Sequence, residues 1–350
     1  MENTSPDTRV KAGLLLAAAL SLTALWVRRR AKKAEQKFPP AGKFVQIDGV
    51  RLHYIEHGTG PAVLLLHGNG AQAMDFVGCG LVEQLASRYR VIAIDRPGFG
   101  YSARPRDRLW TPKAQATLMR RACAELGVQE PIVLGHSFGT QVALALALEA
   151  PEWVRGLVLI SGYYFPTFRL DAWLFSPPAI PVIGDVMRYT VSPLLGKMLL
   201  PLMLRRIFSP KVVEPGFLQH VPPPLTLRPW QLKASAEDGI FMIPAAIAMS
   251  RHYREISVPV EIFAGEDDKY VKADQQAARL HHQIEQSRLH LLPGEGHMLH
   301  YGKSRGIAGA VGAIVATEEV VQSIAEKMQL IGENRSEGEA AEPVAARSAN

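Results

Sequence analysis

Gly135-His136-Ser137-Phe138-Gly139 follows a short apolar run, Ile132–Leu134, and leads straight into a stretch with helical character. Glycines two before and two after a serine let a strand turn sharply into a helix without Cβ clashes. Such a turn holds the serine in a strained conformation with its hydroxyl exposed. A hydroxyl is a poor nucleophile until a base takes its proton, and the base needs a carboxylate to orient it. Among the eleven histidines, His297 stands out, because it follows the run Leu289–Leu292 in the turn Pro293-Gly294-Glu295-Gly296-His297. The run Val260–Phe263 leads into Ala264-Gly265-Glu266-Asp267-Asp268, where Asp268 is the candidate acid and Asp267 and Glu266 are its rivals. After Leu157–Ile160 no acid occurs before Asp171. Attack by Ser137 on a carbonyl creates an oxyanion, which requires N–H donors already aimed at it. The expected donors are the backbone of Phe138 and that of Asn69, in His67-Gly68-Asn69-Gly70 after the run Val63–Leu66. No metal-ligand pattern or phosphate-binding glycine loop accompanies these residues, so the sequence predicts neither a metal nor a cofactor.

These residues need a scaffold that brings them to one edge. Lys43–Ile47 and Arg51–Ile55 read as a hairpin across Asp48-Gly49. Val63–Leu66, Val91–Ile94, Ile132–Leu134, Leu157–Ile160, Val260–Phe263 and Leu289–Leu292 are short continuous apolar runs. Separated by helical stretches, they predict a parallel sheet buried on both faces. Predicted helices include Thr111–Leu126, closed by Gly127, and Thr140–Ala150, closed by Pro151. The alternation breaks once, at residues 162–258, a Pro-, Leu- and Met-rich stretch that predicts an inserted helical cap. Met198, Leu199, Met203 and Leu204 there are read first as cap core and second as lining for an acyl chain. A last helix is expected over Gly306–Met328, followed by a disordered tail, 333–350.

The formal net charge of the 350 residues is +6, which invites a nucleic-acid reading. Residues 1–37 hold +5 of it, the tail holds −2, and the body is left at +3 without a basic stripe. Nucleic-acid binding is excluded on that ground. The N-terminal charge belongs to a collar, Arg28, Arg29, Arg30, Lys32 and Lys33, behind the uncharged run Ala12–Val27. Sixteen helical residues reach about 24 Å, and Trp26, Lys11 and Arg28 can extend that span at the interfaces. A cleaved signal peptide would carry its positive charge ahead of the apolar stretch. The order here favours a retained single-pass anchor, with the body on the cytoplasmic side. Residues 34–42 read as a linker ended by Pro39-Pro40. Cys79 and Cys123 are too few for a disulfide framework and read as small buried hydrophobes.

The pieces His67–Gly70, Asp95-Arg96-Pro97-Gly98-Phe99-Gly100-Tyr101-Ser102, Gly135–Gly139, Gly265–Asp268 and Gly296-His297 occur in order. Together they resemble the α/β-hydrolase superfamily, in its serine-nucleophile branch with a helical cap, over residues 43–330. The resemblance implies a mostly parallel eight-stranded sheet with helices on both faces. It also implies Ser137 as nucleophile, Asp268 as orienting acid and His297 as base, with structural roles for Asp95 and Arg96. The implied organisation is an anchor (1–37), a core (38–161 and 259–332), a cap (162–258) and a tail (333–350). Haloalkane dehalogenases and epoxide hydrolases of this fold place a carboxylate in the elbow, where this chain has Ser137. His67, His136 and His300 are expected to be structural, and His281 and His282 a solvated helix face. The expected function is a membrane-tethered serine hydrolase acting on an apolar carboxylic ester or thioester. A carbon–carbon bond hydrolase, a cofactor-free haloperoxidase or perhydrolase, and a non-catalytic ligand-binding member stay open beside it.

Overall fold

All eight β-type runs become strands of one sheet in the computed structural model, which describes residues 6–317. β1 (Lys43–Ile47) and β2 (Val50–His57) form the expected antiparallel hairpin at one edge. They are followed by β3 (Ala62–Leu66), β4 (Arg90–Ile94), β5 (Ile132–His136), β6 (Gly156–Ile160), β7 (Val260–Gly265) and β8 (Ser287–Leu292). The spatial order is β1-β2-β4-β3-β5-β6-β7-β8, with every pair from β4 to β8 parallel. β5, β6 and β7 are buried along their whole length, which accounts for their unbroken apolar sequence.

Helices cover the sheet. α2 (Met74–Gly78) and α3 (Leu81–Ala86) follow β3. α4 (Pro112–Glu125) starts with Pro112 in its first turn and with the Thr111 side chain accepting the Ala114 N–H at 3.2 Å. α5 (Phe138–Glu149) is buried from Phe138 to Ala147, so its sequence is apolar on every side. Between β6 and β7 the chain leaves the sheet for α6 (Leu170–Leu174), α7 (Ile183–Tyr189), α8 (Val191–Phe208), α9 (Pro215–His220), α10 (Pro223–Thr226) and α11 (Pro229–Met249).

α1 (Pro6–Lys37) is one continuous helix, and its Val10–Lys37 stretch is long and apolar enough to cross a membrane. The expected linker therefore begins later than its composition suggests, since residues 34–37 form the last turn of α1. The reason is packing: Val27, Ala31 and Ala34 are buried, and Glu35 pairs with Arg228 Nη1 at 2.8 Å. Pro39-Pro40 still stops the helix. Contacts divide the chain into two units at Ala308. The first unit ends in a helix that begins at His300, earlier than the expected Gly306, and residues 309–317 of the second unit are helical. The rest of that predicted helix, the core boundary at 332 and the tail 333–350 lie outside the described residues.

A buried charge cluster ties the helical insertion to the core. Asp238 of α11 accepts from Arg96 Nη1 at 2.7 Å, from Arg104 Nη1 at 3.2 Å and from Gln115 Nε2 at 3.2 Å. Arg96 and Asp238 are both fully buried. Arg96 also donates through Nε to the His67 carbonyl at 2.7 Å, and its own N–H donates to His67 Nε2 at 2.9 Å. His67 must then carry its proton on Nδ1, which donates to the Gly68 carbonyl at 2.8 Å. Burial first, and the Arg96 charge second, hold the His67 pKa down to about 3.

Two outcomes follow from this cluster. Asp238→Asn keeps the side-chain shape but leaves a buried guanidinium without its counter-charge, and should cost about 3–5 kcal/mol of unfolding free energy. Urea unfolding reads this loss, and a change below about 1 kcal/mol would contradict it. His67 has a folded pKa below its unfolded value near 6.5, so the unfolded chain takes up the proton first on acidification. Its contribution is present above about pH 6.5 and is lost as the pH falls toward about 3. The gap between urea midpoints at pH 7 and pH 4 should therefore narrow in His67→Gln, and an unchanged gap would count against the assignment.

Candidate active site

Ser137 sits between β5 and α5 at φ 52° and ψ −118°. Its flanking glycines are required by contact as well as by the turn. A Cβ on Gly139 would stand 2.0 Å from the Leu66 carbonyl oxygen, and one on Gly135 would stand 2.6 Å from that of Gly139. Strand register brings the remaining groups to the same edge. Leu66 pairs with Gly135, His136 with Ile160, Ile160 with Phe263, and Gly265 with Leu292. The loops that leave β3, β5, β7 and β8 therefore emerge together.

Ser137 Oγ lies 3.0 Å from His297 Nε2, and His297 Nδ1 lies 2.7 Å from Asp268 Oδ2. Asp268 Oδ1 accepts the Tyr270 N–H at 2.7 Å and the Val271 N–H at 2.9 Å, which leaves Oδ2 aimed at the imidazole. The two rival acids are excluded by position. Asp267 and Glu266 are exposed, and Asp267 Oδ2 accepts the Gly294 N–H at 3.0 Å, fastening the loop that carries His297. His136 Nε2 donates to the His297 carbonyl at 3.1 Å, while burial pushes the His136 pKa well below the usual imidazole range. Ser137, His297 and Asp268 thus form a hydrogen-bonded chain that can draw the hydroxyl proton onto an imidazole already facing a carboxylate.

Asn69 and Phe138 line the same cavity as Ser137. Phe138 opens α5, so its N–H has no acceptor within the helix. The Asn69 amide Nδ2 donates to the Ser235 carbonyl of α11 at 3.0 Å, which leaves the backbone N–H as the group its expected role requires. The cavity measures about 360 Å³, and its walls are mostly apolar side chains of the insertion, with Leu199, Met203 and Leu204 among them. Met198 departs from that expectation: it points outward and is 69% exposed.

Asp95 and Arg96 are structural, as the motif implies. Asp95 accepts from His53 Nδ1 at 2.7 Å, from the Ala73 N–H at 2.7 Å and from the Tyr101 N–H at 2.9 Å. Cys79 and Cys123 are buried free thiols, and burial pushes Cys123 up to about 12. His281 is half-buried, with Nδ1 2.8 Å from Ser287 Oγ, so only His282 is the exposed face residue expected of both. One grouping escaped the sequence: Asp75, His136 and His300 converge behind His297, with donor atoms within 4.8 Å of one another. His300 Nε2 lies 3.2 Å from Asp75 Oδ2, and Tyr301 Oη donates to Asp75 Oδ1 at 2.8 Å. The only advance signal was the three-residue step from His297 to His300.

Comparison with known proteins identifies the family of the fold. Over 219 residues the chain is 27% identical to haloalkane dehalogenase 2 of Mycobacterium tuberculosis, covering 62% of this chain and 71% of that one. It is 37% identical over 154 residues to 2-hydroxymuconate semialdehyde hydrolase of Pseudomonas sp. strain CF600, covering 41% of this chain and 53% of that one. A thermophilic esterase from Thermogutta terrifontis superposes with a TM-score of 0.65 at 21% identity, covering 79% of this chain and 99% of that one. A family model described as the alpha/beta hydrolase fold matches residues 61–304. The chain belongs to the α/β-hydrolase family.

Proposed function

We propose that this hydrolase cleaves an uncharged, apolar carboxylic ester or thioester through an acyl-enzyme on Ser137, and that α1 tethers it to a membrane with the body on the cytoplasmic side. His297 takes the Ser137 proton as Oγ attacks the carbonyl carbon. The resulting oxyanion is held by the Asn69 and Phe138 N–H groups, and Asp268 stabilises the imidazolium. His297 then passes the proton to the departing alkoxide or thiolate. Water, deprotonated by the same imidazole, attacks the acyl-enzyme, and the acid is released with Ser137 restored. Residues 162–258 act as the cap that shapes the acyl pocket.

The observation that carries this reading is the Ser137–His297–Asp268 chain, at 3.0 and 2.7 Å, opening onto a mostly apolar cavity. Chemistry separates it from dehalogenation. A carboxylate that displaces a halide forms an ester that water can open, whereas Ser137 would form an ether and stop after one turnover. The identity to 2-hydroxymuconate semialdehyde hydrolase favours a second reading, carbon–carbon cleavage on the same triad. A muconate semialdehyde carries a carboxylate. Among the described residues, Arg169 is the one cation lining the cavity, and it is already paired with Asp171 at 2.8 Å. That pairing favours the uncharged ester.

Ser137→Ala should lower kcat on p-nitrophenyl butyrate by roughly 10⁴-fold or more and abolish labelling by a fluorophosphonate probe. Full activity in this variant would end the proposal, and an unlabelled wild-type chain would point to a non-catalytic member. Asp268→Asn leaves the geometry in place but favours the wrong imidazole tautomer, and should lower kcat by roughly 10³- to 10⁴-fold. Steady-state kinetics at pH 7 measures it. A loss below about tenfold would move the acid role elsewhere.

A further inference from the structure

α8 is apolar on two opposite sides. Leu199, Leu200, Met203 and Leu204 line the cavity. Val191, Leu194, Met198 and Leu202 recur at three- and four-residue spacing on the other side and are 46–69% exposed. The charges of α8 are Lys197 and, in its last turn, Arg205 and Arg206; the apolar outer stripe has no core to cover it, since α8 has a core on one side only. α7, which packs against α8, and α6, which lines the same cavity, repeat the pattern. Leu170, Trp173 and Leu174 of α6, and Val182, Ile183 and Val186 at α7, are 50–75% exposed. Soluble monomers rarely leave so much adjoining apolar surface without a partner.

The position of α1 identifies that partner. Arg28 lies 5.1 Å over the ring of Tyr189, the last residue of α7, and Glu35 pairs with Arg228 beside α11. Val186 precedes Tyr189 by three residues and shares its helix face, while the exposed Val182 stands just ahead of the first turn of α7. The contact that holds the basic collar of α1 therefore lies on the face of α7 that carries the exposed Val186. A bilayer around the apolar part of α1 has its headgroup plane at Arg28–Lys33, where five basic side chains match anionic lipid. That plane is level with α7. The cavity also opens toward this face, because Leu174, Phe175, Leu195 and Met203 line it and are still 38–68% exposed.

We propose that the outer face of α6–α8 rests in the headgroup–acyl boundary of the bilayer that holds α1, and that the cavity draws its substrate, a long-chain acyl ester of a membrane lipid, directly from that bilayer. The inference rests on the ester-hydrolase reading for its chemistry but not for its geometry.

The test uses the full-length chain reconstituted in phosphatidylcholine–phosphatidylglycerol vesicles. Lipids brominated near the top of the acyl chain should quench the part of the tryptophan emission that disappears in Trp173→Phe. Absence of that quenching, as when a second copy of the chain covers Trp173, overturns the proposal. A triple variant, Trp173→Glu, Val186→Glu and Met198→Glu, alters exposed residues outside the cavity lining. It should turn over p-nitrophenyl butyrate at the wild-type rate and lose about tenfold on vesicle lipid. Undiminished vesicle turnover, or a parallel fall on both substrates, overturns the proposal. If the wild-type chain hydrolyses neither ester while Trp173 is quenched, the catalytic reading fails and the docking face stands.

Discussion

Ser137 is held at a positive φ, a conformation that costs a residue with a side chain about 1–3 kcal/mol and persists only where the surroundings over-determine it. Here they do. The Ser137 N–H donates to the Ile160 carbonyl at 2.9 Å, and its carbonyl accepts from Thr140 Oγ1 at 2.6 Å. β5 is enclosed between β3 and β6, and α5 behind it is buried for most of its length. With the backbone unable to relax, sheet register fixes the Ser137 Cβ relative to His297, and a single torsion, χ1, then brings Oγ to 3.0 Å from Nε2. Preorganisation of this kind is what lets a serine–imidazole pair act without reorganising first.

The same turn is coupled to the helical insertion through one guanidinium. Arg96 lies 4.7 Å over the ring of Phe138, the residue after Ser137, while its Nη1 reaches Asp238 of α11. A buried ion pair adds little net stability over an apolar pair of the same shape, but removing one partner is costly. Apolar contacts between Leu and Met side chains have no preferred register and could let α11 slide along the core. The Arg96–Asp238 contact has a single geometry. The cavity wall and the turn at Ser137 are thereby held to one arrangement, with neutral His67 beneath them fixing the loop that carries Asn69.

The strands and the turn at Ser137 are legible in the sequence for a common reason: each depends on residues near in the chain. The unbroken apolar runs report burial on both faces, and Gly135, Ser137 and Gly139 report one turn. Asp268 could be separated from Asp267 only through the backbone, because Tyr270 and Val271 donate to one and Gly294 to the other. Asp75 and His300 were invisible because 225 residues separate them. Residues 34–37 have the composition of a linker yet stay helical because Glu35 finds its partner at Arg228, a contact no local composition encodes. The outward turn of Met198 escaped for another reason, since a helix apolar on both sides gives no periodicity by which to tell inside from outside.

That lack of periodicity in α8 bears on energetics. Carrying a long acyl chain from a bilayer through water to an isolated pocket exposes each methylene at a cost of about 0.8 kcal/mol, or about 12 kcal/mol for a sixteen-carbon chain. No cavity of about 360 Å³ recovers that before the barrier is met. A wall that continues from the pocket onto a lipid-facing helix lets the chain slide between two apolar media, so the cost is never incurred. A four-carbon ester loses little by travelling through water. On the proposed reading, the value of the α1 anchor and of the outer face rises with acyl length, and an apolar second face on α8, a liability on a soluble protein, would match the pocket to a lipid substrate.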